Sequence, residues 1–250
     1  DAGPAGEHAT GQAGEGAASA ADASDEPFPA CWRGLDVGSP FDYRAQGIVY
    51  VAASVPPPGR DGTPPEQLDV LERLIRASGG GALGLFTARA AAVHAAEELR
   101  ERLDVPILAQ GDEALGALIE RFQAEPDTCL FGTISLWQGV DVPGPSCRLV
   151  VIDRIPFPRP DDPVRSARAE AVDRAGGSGF MAVAVAHAAL MLAQGAGRLI
   201  RRSTDRGVVA ILDPRLITKR YGTVLRRALP PMWPTADLDL TCRALERLRT

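Results

Sequence analysis

Two arginines spaced three apart, Arg198 and Arg201 in Gln194-Gly195-Ala196-Gly197-Arg198-Leu199-Ile200-Arg201-Arg202, are the side chains in this sequence best suited to phosphate chemistry. On a helix, residues three apart share a face, and two guanidiniums on one face make a fork for phosphate oxygens. Gly195 and Gly197 each weaken a helix by ~1 kcal/mol, which points to a close backbone approach. A surface helix end whose arginines complement the macrodipole accounts for the same residues. A second segment runs from Phe131 to Gly144, where a strand gives way to small and hydroxylated residues. Gly132 and Gly139 permit close approach, Thr133 and Ser135 offer hydroxyls, and Asp141 can accept from a ribose hydroxyl; a plain strand–loop–strand turn is the alternative. In a third segment, Leu85-Phe86-Thr87-Ala88-Arg89, a strand ends and a helix begins. Thr87 is a good N-cap there, and helix-start N–H groups bind anions, although capping alone explains it.

Other common catalytic loops are missing. A Walker A loop needs Gly-Lys-Ser/Thr, but the one lysine, Lys219, lies between Thr218 and Arg220. His8, His94 and His187 make neither an H-E-x-x-H helix nor a D-E-x-H box, and G-x-S-x-G does not occur. Gly176-Gly177-Ser178-Gly179 does not directly follow a strand, which argues against a dinucleotide site. Cys31, Cys129, Cys147 and Cys242 show no C-x-x-C spacing, so buried free thiols are expected and no metal site.

The elements that must position these residues are legible in the apolar runs. Strands are expected at Gly47–Ser54, Ala82–Phe86, Val105–Ala109, Cys129–Thr133, Leu149–Asp153 and Gly207–Asp213. Helices are expected at Pro64–Ser78, Ala90–Leu103, Glu113–Ala124 and Gly179–Ile200. Continuous apolar strands alternating with helices predict an α/β fold with a mainly parallel sheet and helices on both faces. Phe180–Ala193 is apolar almost all round and reads as a buried helix, with His187 as a core residue rather than a catalyst.

Of the 250 residues, 45% are hydrophobic and 24% charged, enough apolar material for a core. The formal charge of −5 is unevenly placed. Asp1, Glu7, Glu15, Asp22, Asp25, Glu26 and Asp36 face only Arg33 in the first 36 residues, whereas Arg198 to Arg227 runs strongly basic. A basic strip on a nearly neutral body can hold phosphates; a solvated helix face is the plain alternative. Residues 1–36 read as a disordered acidic linker, 37–235 as the folded lobe and 236–250 as a helical extension. No apolar stretch reaches the ~20 residues of a membrane span, and no signal peptide is evident, so a cytoplasmic fragment of a larger protein is expected.

Together these segments resemble the second RecA-like lobe of superfamily 2 DNA helicases, in the DinG/XPD-like branch and within it the bacterial DinG group. Gln194-x-x-Gly197-Arg198-x-x-Arg201 looks like that family's motif VI. Gly132-Thr133 through Gly139-Val140-Asp141-Val142-Pro143-Gly144 looks like motif V, and Leu85-Phe86-Thr87 like motif IV. Ser39-Pro40-Phe41-Asp42-Tyr43, Ile155-Pro156-Phe157-Pro158-x-Pro160-Asp161-Asp162-Pro163, and Leu212-Asp213-x-Arg215 followed by Tyr221-Gly222 support it, in the family's order.

The resemblance implies roles. Arg198 and Arg201 would be arginine fingers, with Gln194 positioning phosphate or water. Gly139, Asp141 and Gly197 would lie near ATP. Thr87, Thr133 and Ser135 would hold backbone phosphates of single-stranded DNA, and Trp137 would stack on a base or pack in the core. ATP with Mg²⁺ would be held mainly by a first RecA-like lobe that this sequence does not contain, so the chain alone is expected to hydrolyse no ATP. Whether an iron–sulfur cluster accompanies that first lobe is not legible here. The competing readings are a non-catalytic RecA-like module that binds nucleic acid, and an RNA-directed helicase lobe.

Overall fold

A computed structural model describes Leu35, residues 38–59, 63–133, Leu136 and residues 146–249. The chain divides into two units, Asp1–Gly38 and Ser39–Thr250, and everything below concerns the second.

Its described residues build a seven-stranded sheet of β1 (Gly47–Val51), β2 (Ala82–Leu85), β3 (Ile107–Ala109), β4 (Cys129–Gly132), β5 (Leu149–Ile152), β6 (Gly207–Ile211) and β7 (Trp233–Thr235). The strand order is β3-β4-β2-β5-β6-β1-β7, and every pairing is parallel. Strands buried on both faces need apolar residues at consecutive positions, which is why β2, β4, β5 and β6 read as unbroken hydrophobic runs.

Alternation along each strand divides the core into two layers. Val49, Val51, Leu83, Leu85, Val150, Ile152, Val209 and Ile211 point to one face. There they meet Phe122 of α4 (Leu115–Ala124), Met191 of α6 (Ala186–Ala196) and Leu225 of α8 (Gly222–Ala228). Tyr50, Ala52, Leu149, Val151, Val208 and Ala210 point the other way, onto α2 (Pro65–Ser78), α3 (Arg89–Arg102) and Leu245 of α9 (Leu238–Glu246). The short helices α1 (Tyr43–Gln46) and α7 (Arg215–Thr218) lead into β1 and out of β6. Cys129 and Cys147 are buried free thiols, and burial pushes each up to about 12, so neither carries a reactive thiolate.

The structure departs from the sequence reading in several places. Helix α5 (Pro163–Arg174) was not anticipated, because it buries no residue and carries no apolar stripe; Asp162 starts it by accepting from Val164 N and Arg165 N, with Pro163 in the first turn. The edge strand β7 was also missed, Pro234 being tolerated only at an edge. The apolar segment from Phe180 is not buried all round. It opens as a π-helical turn, Phe180–Val185, and continues as α6 in the outer layer of the fold. Only the stripe of Val185, Ala188, Met191 and Leu192 faces the sheet, leaving Phe180 47% and Leu190 57% exposed.

Because every strand points the same way, the sheet has an amino edge, where strands begin, and a carboxyl edge, where they end. Those of the residues singled out above that the structure describes divide between the two.

Candidate functional site

At the amino edge, α6 ends at Ala196, four residues short of the expected boundary, and Gly197 caps it with φ −66° and ψ −5°. Gly197 N donates to Ala193 O at 2.9 Å, and the chain then turns through Arg198 and Leu199. Arg198 and Arg201 therefore do not share a helical face, as their spacing predicted. They lie in the loop that joins α6 to β6, with Leu199 and Ile200 between them buried under the sheet. Gly195 lies inside the last turn of α6, and Gly197 stands at its C-cap. Arg198 is half-buried, while Arg201 and Gln194 are exposed.

Two buried side chains hold this loop. Asp205 Oδ2 accepts from Arg201 N at 2.9 Å and from Arg202 N at 2.8 Å. Gln46, the last residue of α1, donates its amide to the carbonyls of Arg202 and Ser203 at 3.1 Å and of Asp205 at 3.0 Å. Neither residue was singled out from the sequence, where a Gln before a strand and an Asp in a basic loop look like ordinary solvated groups.

At the carboxyl edge, the strand exits are joined by polar side chains. Thr87, just beyond β2, donates N–H to Asp153 Oδ1 at 3.0 Å and its hydroxyl to Oδ2 at 3.3 Å. It is not the N-cap of α3; Ala88 is, and no side-chain cap bonds the first N–H groups of that helix. Thr133, just beyond β4, donates both N–H and hydroxyl to Gln110 Oε1, at 2.8 and 2.9 Å. Asp213, beyond β6 and fully buried, accepts from Ile155 N at 2.9 Å and clasps the Arg215 guanidinium at 2.7 Å. That clasp holds Arg215 over the Phe157 ring, 5.8 Å from its centre. The sequence signal for Asp153 and Asp213 was present, since each is a single acid ending an apolar strand.

Burial pushes the Asp153 carboxyl up to about 6, a shift that the Arg154 guanidinium at 2.9 Å only partly offsets. Thr87, Arg89, Thr133, Phe157, Arg165 and His187 line a groove of about 970 Å³ along this edge. His187 is half-buried on the groove wall rather than a core residue, and burial together with the Arg165 charge lowers its pKa. Phe157, Phe180 and Tyr221 form a ring cluster beside the groove, with centroids 5.6 Å apart.

The arrangement thus separates two chemistries. The amino edge presents guanidiniums on a braced loop; the carboxyl edge presents a groove with hydroxyls, a helix start and arginines. Ser135, Trp137, Gly139 and Asp141 lie outside the described residues. Among the described residues, no group of three or more His, Cys, Asp or Glu side chains lies close enough to hold a metal ion. No described helix is long and apolar enough to cross a membrane.

A family model described as the helicase C-terminal domain matches residues 71–232. The ATP-dependent helicase DinG of Mycobacterium tuberculosis (strain ATCC 25177 / H37Ra) is 61% identical over 218 residues, covering 87% of this chain and 33% of that protein. The ATP-dependent DNA helicase YoaA of Escherichia coli (strain K12) is 38% identical over 207 residues, covering 83% of this chain and 32% of its own length. The chain therefore spans about a third of the length of these relatives. A solved structure titled XPD_APO superposes with a TM-score of 0.54 at 18% identity, covering 78% of this chain and 40% of that one. At that identity the likeness shows the fold, which is the RecA-like arrangement expected.

Proposed function

The chain belongs to the helicase C-terminal domain family, and from that premise we propose that it is the second motor lobe of an ATP-dependent DNA helicase. In this reading the amino edge serves ATP and the carboxyl edge serves single-stranded DNA. Arg198 and Arg201 reach toward a triphosphate held with Mg²⁺ by a first RecA-like lobe. There they offset the charge that develops on the γ-phosphoryl group, with Gln194 positioning phosphate or water and Gly139, Asp141 and Gly197 near the nucleotide. Thr87, Thr133 and Ser135 engage backbone phosphates, the uncapped start of α3 offers N–H groups to one of them, and Trp137 stacks on a base. Residues 37–235 form the lobe, 1–36 its linker and 236–250 its extension.

The observation that carries this reading is the end of α6 at Gly197, which delivers Arg201 to an exposed loop braced from beneath. A loop held in one shape suits electrostatic stabilisation, which depends on donors placed before the reaction. The hydroxyls at the other edge need no such rigidity. Each has its proton directed to Asp153 or Gln110, and it turns toward a phosphate while the threonine N–H keeps that acceptor satisfied.

The test uses the protein in which this chain is continuous with a Walker A-bearing first lobe. It should hydrolyse ATP on adding single-stranded DNA and unwind a DNA duplex with a single-stranded tail, whereas the 250-residue chain alone should show no ATP turnover. Unwinding of RNA but not DNA would favour the RNA-directed reading. Binding of single strands without any hydrolysis in the longer protein would favour a non-catalytic module.

A further inference from the structure

We propose that Gln46 is a positioning residue for the arginine loop, working with Asp205 as a two-sided clamp on the backbone that follows Arg201; the inference rests on the lobe reading above. Gln46 is 7% exposed and Asp205 is 6% exposed, so both polar groups are spent inside the fold. A primary amide carries two protons, yet Gln46 Nε2 lies 3.0 to 3.1 Å from three carbonyl oxygens, of Arg202, Ser203 and Asp205. Three carbonyls can converge on one nitrogen only if the loop is curled around it. Asp205 closes the curl from the other side, its carboxylate accepting from the N–H groups of Arg201 and Arg202. The loop backbone therefore has its carbonyls held by one side chain and its N–H groups by the other.

Gln46 also fixes where the loop sits. It precedes Gly47, and Gly47 pairs with Gly207 at the start of β1 and β6. Asp42 caps α1 by accepting from Ala45 N at 3.2 Å, so the amide is carried on a short helix seated on the strand ends. The segment that enters the lobe, Ser39–Gln46, is thereby tied to the loop that leaves α6. Loosening the amide frees the 202–205 backbone and lets the Arg201 side chain wander, and a misplacement of about 1 Å can cost ~10²-fold in rate.

The experiment compares variants in the two-lobed protein, measuring DNA-stimulated ATP hydrolysis, KM for ATP, DNA affinity and Tm. Gln46→Met keeps the shape and neutrality but removes every donor. It should lower kcat by roughly 10- to 100-fold, in line with a misplaced reacting group, while leaving KM and DNA affinity within about twofold. Gln46→Lys restores three donors to the three carbonyls and should recover kcat to within about threefold of wild type, a rescue that bulk or general stability does not produce. Asp205→Ala releases the opposite side of the loop and should repeat the kcat loss; if Gln46→Met fails to fold, this variant and Gln46→Lys decide. Arg201→Ala serves as the reference. Should Arg201→Ala abolish turnover while Gln46→Met and Asp205→Ala leave kcat unchanged, the clamp is refuted and the lobe reading stands. Undiminished turnover in Arg201→Ala refutes the finger assignment itself.

Discussion

The two edges of one sheet are braced by different means. At the amino edge, Gln46 and Asp205 end on main-chain atoms, so the 201–205 backbone of the loop between α6 and β6 is held by side chains from within the fold. At the carboxyl edge, Asp153 and Gln110 end on threonine hydroxyls as well as N–H groups, and a hydroxyl can be redirected by a single rotation. One edge is built to hold a shape, the other to exchange partners. In the function proposed above, that division would suit a lobe that places charge once for hydrolysis and makes and releases contacts as a strand moves past.

The sharpest attempt to break this contrast mutates each edge and asks whether the phenotypes separate. Arg201→Ala in the two-lobed protein should cut kcat for ATP hydrolysis by about 10³-fold or more, as loss of an arginine finger does in phosphoryl transfer. Its affinity for single-stranded DNA should stay within about twofold. Thr87→Ala with Thr133→Ala should do the reverse: affinity falls, each lost hydrogen bond to a charged phosphate being worth ~1.5 kcal/mol or more, while kcat at saturating DNA persists. If both variants lose both activities equally, the edges are not functionally distinct.

A second prediction concerns stability and follows from Asp153. Its folded pKa of about 6 lies above the ordinary carboxylate value, so between those pH values the native state binds more protons than the unfolded chain. Stability is therefore lost as pH rises through that window, by at most ~3 kcal/mol, and the loss is complete above it. Asp153→Asn cannot ionise. Its Tm relative to wild type should become more favourable as pH is raised from about 4 to about 6.5, and then level off. A difference that stays flat across that range would mean that Asp153 pays no desolvation cost in the fold. Because Asp153 also orients Thr87, the same variant should weaken DNA binding modestly without altering kcat, which again assigns it to the carboxyl edge.

How much of this was legible in the sequence depended on how local the cause was. The parallel α/β sheet was readable because strands buried on both faces, such as Leu149–Ile152, must be apolar at every position. The helix Pro163–Arg174, which buries no residue, left no periodic trace, and only its Asp162-Pro163 start could have given it away. Arg198 and Arg201 were recognisable by residue type and spacing, yet their helical register was misread, because Gly197 ends α6 before either is reached. Gln46 was invisible. Its partner Arg202 lies 156 residues away, and nothing near a strand start announces that a glutamine will be buried against three carbonyls.

The smallest expected effect is also the one that best sharpens the contrast, because it is read from a slope. Arg165 lines the carboxyl-edge groove, where its guanidinium lies 3.2 Å from Asp162 on a half-exposed face. An exposed ion pair of this kind contributes little to stability, so Arg165→Ala should shift Tm only slightly. If Arg165 meets a phosphate of the bound strand, removing it eliminates one counterion-releasing contact. The plot of log affinity against log salt for single-stranded DNA should then flatten by ~0.7. The loss of affinity should accordingly be larger at 50 mM salt than at 200 mM, the range over which counterion release changes affinity steeply. Arg201→Ala, at the opposite edge, should leave that slope as it was. Equal flattening by both substitutions would place the strand across the two edges at once, and an unchanged slope in Arg165→Ala would move it out of this end of the groove.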